Sequence, residues 1–408
     1  MSHSVLLTPR SRMKALYFLQ FSAVGALFPL WPLFYQGLGL SGTVVGLLLA
    51  VTPVAGVVMP PVWGLLGDRF RLYLPLLTVT SVAAGLAALA LPAAHGLALL
   101  FSAAALLAVF QSGWTPFTDS VALEIVHREG YEYGRLRLWG SVGFALASLG
   151  TGAAAERWGL PLIFPLFAAA AVVSALLVPG LPSPQPRHEE GGAPSGDRAG
   201  SHPPELVAAL RRLMTEPAFL WLLAAAFSVT GSLASNNYFF SILYQQAGGS
   251  LKGIGLTFLL FALSEVPVML IIQRLADRFS PAWLLLAGAL LAALRWFFYA
   301  APLPPWLLVA SFPLHGLTSG VFLSVVPVLA SRLAGPHLKA TALAATGVAG
   351  FGFGAIFTAA AGGVILDRWG PAAIYVFLGL LGVLGVMATA MVVRLAPRPE
   401  WAGGRRAG

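Results

Sequence analysis

Gly67-Asp68-Arg69-Phe70 recurs 209 residues later as Ala276-Asp277-Arg278-Phe279, in a chain of 408 residues. Two other short patterns repeat at almost the same separation. They are Tyr35-Gln36, which recurs as Tyr244-Gln245, and Glu156-Arg157-Trp158-Gly159, which recurs 211 residues later as Asp367-Arg368-Trp369-Gly370. Three repeated patterns at a nearly constant offset indicate two tandem copies of one structural unit.

The composition places both copies in a lipid environment. Hydrophobic residues make up 58% of the chain and charged residues only 10%, whereas soluble domains have about 25% charged residues. The chain has no cysteine, and none of its seven histidines stands at the spacing of a zinc motif. We therefore predict a membrane protein that holds no metal or other cofactor.

Twelve mostly apolar runs are long enough to cross a bilayer, which takes about 20 residues. The predicted spans are 14–36, 41–66, 72–93, 97–122, 135–156 and 159–181, then 217–245, 251–274, 281–301, 304–331, 338–365 and 370–396. Residues 182–213 are rich in proline, glycine and charge, which is typical of a flexible linker. The sequence thus predicts a six-helix bundle over 1–181 and a second one with a short tail over 214–408.

The positions of the basic residues predict the orientation. If the predicted loops alternate between the two sides, 20 of the 24 lysine and arginine residues lie on the side of the N-terminus. Arg157, Lys252 and Arg368 lie on the other side, and Arg295 lies inside a span. The positive-inside rule then places both termini and the linker in the cytoplasm. This bias explains the net charge of +9 without a nucleic-acid partner.

Two motifs resemble a known family. Gly64-x-x-Gly67-Asp68-Arg69-x-Arg71, between the second and third spans, resembles the signature of the major facilitator superfamily, although it lacks the usual second glycine near Phe70. Arg135-x-Arg137-Leu-Trp139-Gly140-Ser141-x-Gly143-Phe144, at the start of the fifth span, resembles the branch of lactose-permease-like, nucleoside and phenylpropionate proton symporters. The resemblance implies an all-α secondary transporter of the cell membrane, with two parallel six-helix repeats, that works as a monomer.

The superfamily motif suggests a conformational role for Gly64, Asp68 and Arg69. A carboxylate at a junction between two helices can accept hydrogen bonds from free amides and can pair with a nearby base. Asp277 and Arg278 repeat this pair in the second copy. We expect these gating residues to hold the cytoplasmic side closed in one state. The alternative is a helix-turn-helix without a gating role, in which the arginines are present only because cytoplasmic loops are enriched in basic residues.

Three ionisable residues fall inside predicted spans of the second copy: Glu265, Arg295 and His315. Ionisable groups are costly in hydrocarbon, so each is a functional candidate. At middle to outer depth they can meet, and a buried carboxylate takes up a proton more readily when its guanidinium partner moves away. We therefore predict that they couple transport to protons. One alternative to proton coupling is that Glu265 and Arg295 form a permanent structural ion pair. The other is that His315 is only a hydrogen-bonded packing residue.

The resemblance both supports and limits this prediction. The lactose-permease-like pattern has an acid, an arginine and a histidine in the same three spans. Its second acid, three residues after the histidine, is Thr318 in this chain, and its acid in the seventh span is replaced by Asn236 and Asn237. If protons are coupled, Glu265 or Asp119 must therefore carry them.

A second polar group is predicted on the cytoplasmic side of the first copy. Asp119, near the end of the fourth span, and Arg137, near the start of the fifth, lie at similar depth because adjacent spans are antiparallel. In the resembling family an acid and an arginine on these helices hold a polar substrate, and the planar guanidinium suits carboxylates and paired hydroxyls. An ion pair with a structural role is the alternative. Further candidates for the substrate cavity are Gln111, Trp114, Asn237 and Tyr238.

These predictions lead to one leading function and one alternative. The leading function is proton-coupled symport, by alternating access, of a small polar or amphipathic organic solute such as a sugar, a nucleoside or an aromatic acid. The alternative keeps the fold and reverses the direction, as proton-driven efflux of a drug or a sugar. An enzyme is not expected, because the sequence offers no recognisable set of nucleophile and base or of metal ligands.

Overall fold

The computed structural model describes residues 8–184 and 211–395, with side chains except at positions 273, 277, 336 and 337. Every regular element in these ranges is helical, and eleven of the described helices are long and apolar enough to cross a membrane. They are α1 (Pro9–Gly37), α2 (Gly42–Phe70), α3 (Tyr73–Ala90), α4 (Leu97–Glu129), α5 (Tyr133–Trp158), α6 (Leu160–Leu177), α7 (Pro217–Gln246), α8 (Leu251–Arg278), α9 (Pro281–Ala300), α10 (Pro305–Gly335) and α11 (Leu338–Leu395).

The sequence predicts twelve spans, and the difference lies in α11. This stretch has 58 residues, which at 1.5 Å per residue corresponds to roughly 87 Å, far more than a hydrocarbon core of ~30 Å. The helix is interrupted at Gly370, where the backbone has φ +78° and ψ 177°. Glycine adopts a positive φ without the steric cost of a Cβ. The predicted spans 338–365 and 370–396 lie on the two sides of this break.

Matching turns precede α2 and α8. Ser41 Oγ accepts a hydrogen bond from the Val44 amide at 3.3 Å, and Ser250 Oγ accepts one from the Gly253 amide at 3.1 Å. A serine side chain in this position satisfies one of the free amides at a helix start. Because the two serines are 209 residues apart, the repeated sequence pattern forms a repeated helix start.

The N-terminal half (α1–α6) and the C-terminal half (α7–α11) meet along two pairs of helices. α2 packs against α11 at Gly46 and Gly363, and α5 packs against α8 at Gly152 and Gly255. A Cβ on Gly255 would lie only 2.3 Å from the carbonyl oxygen of Ser148. Small residues allow helices in a membrane to approach this closely. Gly46 and Gly255 are also 209 residues apart, so the interface between the halves is itself repeated.

Two π-helical turns lie beside each other in the C-terminal half. They are Ala226–Thr230 in α7 and Val348–Gly354, which lies within α11. The turns cross closely, since a Cβ on Gly231 would lie 2.8 Å from backbone atoms of Gly354. π-turns occur frequently at functional sites. The turn in α7 comes directly before the segment that contains Asn237, which lines a cavity between the halves.

The bundle has two end faces and an apolar belt. We call the end of the bundle at which α1 begins and α2 ends, near Arg69, the terminal face. We call the opposite end, at which α2 and α8 begin, near Ser41, the far face. The outer surface between them carries exposed leucines, such as Leu176 at 70% and Leu270 at 71% exposure. An apolar surface of this kind is stable only in contact with lipid.

Candidate functional site

Two neighbouring cavities lie beside α1, and the second of them lies between the halves. Their volumes are about 370 and 280 Å³, and both have Phe21, Val24 and Phe28 of α1 in their walls. The first cavity is lined mainly by polar residues of the N-terminal half: Tyr17, Gln20, Gln111, Trp114, Thr118, Asp119 and Arg137. The second is lined by residues of both halves, including Ser141, Phe144, Asn237, Phe258, Phe261, Glu265 and His315. Sites for small molecules typically have about 300–1,000 Å³ and combine apolar walls with a few polar groups.

The structure brings Asp119 and Arg137 together in the first cavity. Asp119 Oδ1 accepts hydrogen bonds from the Tyr17 hydroxyl at 2.6 Å and from Arg137 Nη1 at 3.3 Å. Arg137 Nη1 also lies 3.3 Å from the Tyr133 hydroxyl. The pair is only partly buried, with side-chain exposures of 26% for Asp119 and 43% for Arg137. The remaining N–H groups of the guanidinium are therefore open to a ligand.

Two buried donors beside the same cavity have no hydrogen-bond partner among the described residues. Gln20 Oε1 accepts a hydrogen bond from Thr118 Oγ1 at 2.8 Å, but Gln20 Nε2 and Trp114 Nε1 make none. Gln111 also lines this cavity. An unpaired buried donor costs free energy unless a ligand or water accepts its hydrogen bond. Both atoms are buried, so a ligand could reach them only if the cavity wall adjusted.

The three predicted coupling residues form one cluster at the second cavity, with His315 in the middle. His315 Nε2 lies 3.2 Å from Glu265 Oε1, and His315 Nδ1 lies 3.1 Å from Arg295 Nη2. Ser319 Oγ donates a further hydrogen bond to Glu265 Oε1 at 2.5 Å. The direct Glu265–Arg295 contact considered from the sequence is absent, because the histidine ring stands between the two charges.

Arg295 is almost completely enclosed, with 1% exposure. Its guanidinium lies over the rings of Trp296 and Tyr299, at 4.6 and 5.0 Å from their centroids. It donates hydrogen bonds to Thr318 Oγ1 and to the Tyr299 hydroxyl, each at 3.3 Å. Among the described residues, no carboxylate lies within ion-pair distance of it. Aromatic faces and neutral acceptors therefore stabilise the cation at close range.

The two remaining candidates on α7 have different positions. Asn237 lines the second cavity. Tyr238 lies behind the wall, where its ring packs on Phe28 at a centroid distance of 5.5 Å and only 6% of the residue is exposed. Asn236 is buried and accepts a hydrogen bond from the Tyr375 hydroxyl at 3.1 Å. Periodicity along the helix does not by itself reveal which of three consecutive side chains faces a cavity.

The gating residues belong to the terminal face, and those whose side chains are described make no hydrogen bond between the halves. Asp68 accepts a hydrogen bond from the Tyr73 hydroxyl of its own half. The other gating residues whose side chains are described are Gly64, Arg69 and Arg278, with both arginines exposed. The side chain of Asp277 lies outside the described part of the chain. Within the described ranges, no hydrogen bond connects the two halves at this face.

Two acids at the far face form hydrogen bonds between the two halves. Asp367 Oδ1 accepts a hydrogen bond from the Gly42 amide at 2.5 Å, and its Oδ2 accepts one from the Thr43 amide at 2.7 Å. Glu156 Oε2 accepts one from the Lys252 amide at 2.8 Å. In each case a carboxylate from one half meets the positive end of a helix from the other half. We refer to these hydrogen bonds as the far-face acid contacts.

The repeated sequence pattern includes both of these acids, but it does not show that they connect the two halves. Glu156 and Asp367 are the acids of the third repeated pattern, and they stand 211 residues apart. Ser241 Oγ also donates to the Pro29 carbonyl oxygen between the halves, on the far side of the cavities. All hydrogen bonds between the halves in the described ranges therefore lie toward the far face. Asp119 and Arg137 lie in the half of the bundle away from these hydrogen bonds and are partly exposed.

A bundle of apolar helices with a polar cavity between repeated halves defines the class of membrane transporters. The chain belongs to the MFS_1 like family of the major facilitator superfamily, whose family model matches residues 10–377. It is a transporter and not an enzyme, and it is a multi-pass protein of the plasma membrane. The resemblance seen in the sequence is therefore confirmed.

Individual relatives extend over nearly the whole chain. A maltose permease of Geobacillus stearothermophilus is 35% identical over 388 residues, which cover 95% of this chain and 94% of the permease. A probable 3-phenylpropionic acid transporter of Escherichia coli (strain K12) is 28% identical and covers 94% and 96% of the two chains. A crystal structure of a mutant of the nucleoside transporter NupG has a TM-score of 0.82 at 15% identity, with coverage of 94% and 100%. This last likeness concerns the fold alone.

Proposed function

We propose that this chain takes up a sugar together with a proton, by alternating access between its two halves. The observation that carries the proposal is the pair of neighbouring cavities, of which the first has Asp119 and Arg137 in its wall and the second has Glu265. The name of the 35% identical relative, a maltose permease, favours a sugar over a nucleoside or an aromatic acid. The second cavity is lined by residues of both halves, so a solute bound there can contact both halves at once.

In this proposal α11 crosses the membrane twice, once on each side of Gly370. The chain then has twelve spans, and both termini lie in the cytoplasm, as the distribution of basic residues indicates. The terminal face is cytoplasmic and the far face is external. Residues 1–181 and 214–408 act as two bundles joined by the linker 182–213, of which 185–210 lie outside the described residues. One chain is sufficient for transport.

The first cavity has the hydrogen-bonding groups that a sugar requires. A sugar hydroxyl both donates and accepts, so it can donate to Asp119 and accept from Arg137. The unpaired N–H groups of Gln20 and Trp114 are two further donors. Phe21 supplies an apolar wall for the C–H face of a sugar ring. These groups define a site for an uncharged, hydroxyl-rich solute.

Proton coupling is assigned to Glu265. Among the described residues that line the second cavity it is the one carboxylate, and 26% of its side chain is exposed. The other candidate, Asp119, already forms an ion pair with Arg137 and a hydrogen bond with Tyr17, which suits a substrate contact better. Protonation of Glu265 removes a charge from the interface between the halves, and this favours their rearrangement.

The far-face acid contacts support an alternating-access cycle. They join the halves at the external face, while the cavity is open at the cytoplasmic face, as expected of an inward-open state. Opening to the outside requires that Asp367 and Glu156 release the helix starts of the other half. The gating residues near Asp68 then come into contact with the C-terminal half and close the cytoplasmic face.

The test uses purified protein in liposomes that contain a pH-sensitive dye. Maltose, xylose, a nucleoside and 3-phenylpropionate are added outside, with wild type, Glu265→Gln and the control Glu216→Gln, which alters an exposed acid before α7. We expect a sugar to acidify the lumen with wild type and the control but not with Glu265→Gln. Alkalinisation would indicate efflux by antiport. A folded wild-type protein that moves no proton with any sugar would disprove the proposal.

A further inference from the structure

We infer that His315 stays neutral and fixes the geometry of Glu265, so that Glu265 alone binds the coupled proton in the C-terminal half. The inference rests on the proposed function and refines it, because the sequence assigned Glu265, Arg295 and His315 jointly to proton coupling. The histidine becomes a positioning residue. Its tautomer is set by Arg295, which lies on the side of the ring away from the carboxylate.

The tautomer follows from the chemistry of the arginine. A guanidinium has five N–H donors and no acceptor. Because Arg295 Nη2 lies 3.1 Å from His315 Nδ1, that nitrogen must offer its lone pair. The ring proton of a neutral imidazole then sits on Nε2, which lies 3.2 Å from Glu265 Oε1. The cluster is a chain of donors that runs from Arg295 through His315 to Glu265.

A second proton on the ring would be unfavourable in this arrangement. It would occupy Nδ1 and point at the N–H groups of a guanidinium that is 1% exposed, so a hydrogen bond would be exchanged for a contact between two cations. The other side chains around the ring carry no cation or further acid in the described residues. Phe261 stacks on the ring, Tyr299 and Thr318 bind Arg295, Ser319 binds Glu265, and Phe28, Ser141 and Asn237 line the same cavity.

The ring cannot turn over to escape this contact. His315 stacks on Phe261 with a centroid distance of 4.1 Å and an interplanar angle of 6°, and the residue is 5% exposed. A flip of the ring would place carbon atoms against both Arg295 and Glu265. Both hydrogen bonds would then be lost in a buried site, where an unpaired polar group is unfavourable.

The same geometry identifies the atom that receives the proton. Glu265 Oε1 already accepts hydrogen bonds from His315 and Ser319. Glu265 Oε2 makes no hydrogen bond to the described residues, and the side chain lines the second cavity. A proton from cavity water therefore binds at Oε2, and it returns to water from the same atom. One carboxyl group accounts for one coupled proton per cycle.

The test replaces the histidine by a neutral side chain with the same two functions. In His315→Gln the amide oxygen can accept from Arg295 while the amide N–H donates to Glu265. We expect this variant to retain the wild-type ratio of protons to sugar. His315→Leu, which has neither function, is expected to lose proton-driven accumulation. His315→Asn replaces the glutamine variant if that variant does not fold. If folded His315→Gln exchanged labelled sugar but moved no protons, the histidine would be a proton carrier and the inference would be wrong.

A second measurement does not depend on transport. Infrared difference spectra of the reconstituted protein are recorded during a pH titration, without sugar. We expect a protonated-carboxyl band that is present in wild type and His315→Gln and absent in Glu265→Gln. An imidazolium signal that titrates in wild type and disappears in His315→Gln would overturn the inference, even if no sugar were transported. Failure of the proposed function would instead appear only in the liposome assay.

Discussion

Glu156 and Asp367 occupy equivalent positions in the two repeats. At the start of a helix in the opposite half, Glu156 accepts a hydrogen bond from one backbone amide and Asp367 accepts hydrogen bonds from two. The two contacts lie on the same face of the bundle, beside the crossings at Gly152 and Gly363. A pair of related contacts of this kind can break and form together when one half turns against the other. The transport cycle can therefore be tested at the far face without altering the cavity.

Removing the far-face charges should favour opening to the outside. In the double variant Glu156→Gln and Asp367→Asn, the weaker neutral acceptors reduce the attraction to the helix starts. The chain has no cysteine, so Ala262→Cys in the second cavity gives a single reporter. We expect a membrane-impermeant maleimide added outside to label it several-fold faster in the double variant. Glu132→Gln, at the terminal face, is the control and should leave labelling unchanged. Equal labelling of all three proteins would show that the acids do not hold this face closed.

Close packing of α5 on α8 should require glycine at position 255. The Cβ of Gly255→Ala would lie 2.3 Å from the Ser148 carbonyl oxygen, so the helices must separate. We expect slower sugar uptake and faster labelling of the same cavity cysteine from outside. Gly150→Ala, in α5, meets nothing within 4 Å and should behave as wild type. Wild-type uptake by Gly255→Ala would mean that the far face does not close this tightly during transport.

The planar guanidinium of Arg137 should matter for sugar affinity. Arg137→Lys keeps the charge but loses the paired N–H groups. A hydrogen bond to a charged group contributes about 1.5–3 kcal/mol, so we expect the affinity for sugar to fall about tenfold or more. The measurement is sugar binding to purified protein by calorimetry. Arg135→Lys is the control, because Arg135 is 66% exposed and pairs with Glu132 outside the cavity. Unchanged affinity in Arg137→Lys would assign Arg137 a structural role.

Replacing Glu265 by glutamine should remove the pH dependence of sugar transport. In the proposed mechanism sugar accumulation needs a proton on Glu265 from the external side, so wild-type uptake should decline as external pH rises at constant internal pH. In Glu265→Gln the side chain is permanently neutral. Exchange of labelled for unlabelled sugar should continue at a rate that does not vary with pH, and net accumulation should be absent. Glu265→Gln that still accumulates sugar along a pH gradient would move the coupling site elsewhere.

The sequence determined the properties that depend on order along the chain. Apolar runs show where helices cross lipid, and repeated turns such as Ser41 and Ser250 show that the unit occurs twice. Charges such as Glu265 and Arg295 are recognisable because any ionised group within an apolar span is costly. The family resemblance, confirmed by the family match over residues 10–377, also rests on motifs that are contiguous in sequence.

The tertiary structure decided which side chains meet. The rotation of α10 places His315 between Arg295 and Glu265, and the rotation of α7 turns Asn237 into the cavity while Tyr238 packs behind its wall. The contact of Asp367 with Gly42 joins residues more than 300 positions apart. Hydrophobic pattern fixes the depth of a residue in the membrane, but distance between side chains depends on helix rotation and crossing, which are set only when the two halves pack together.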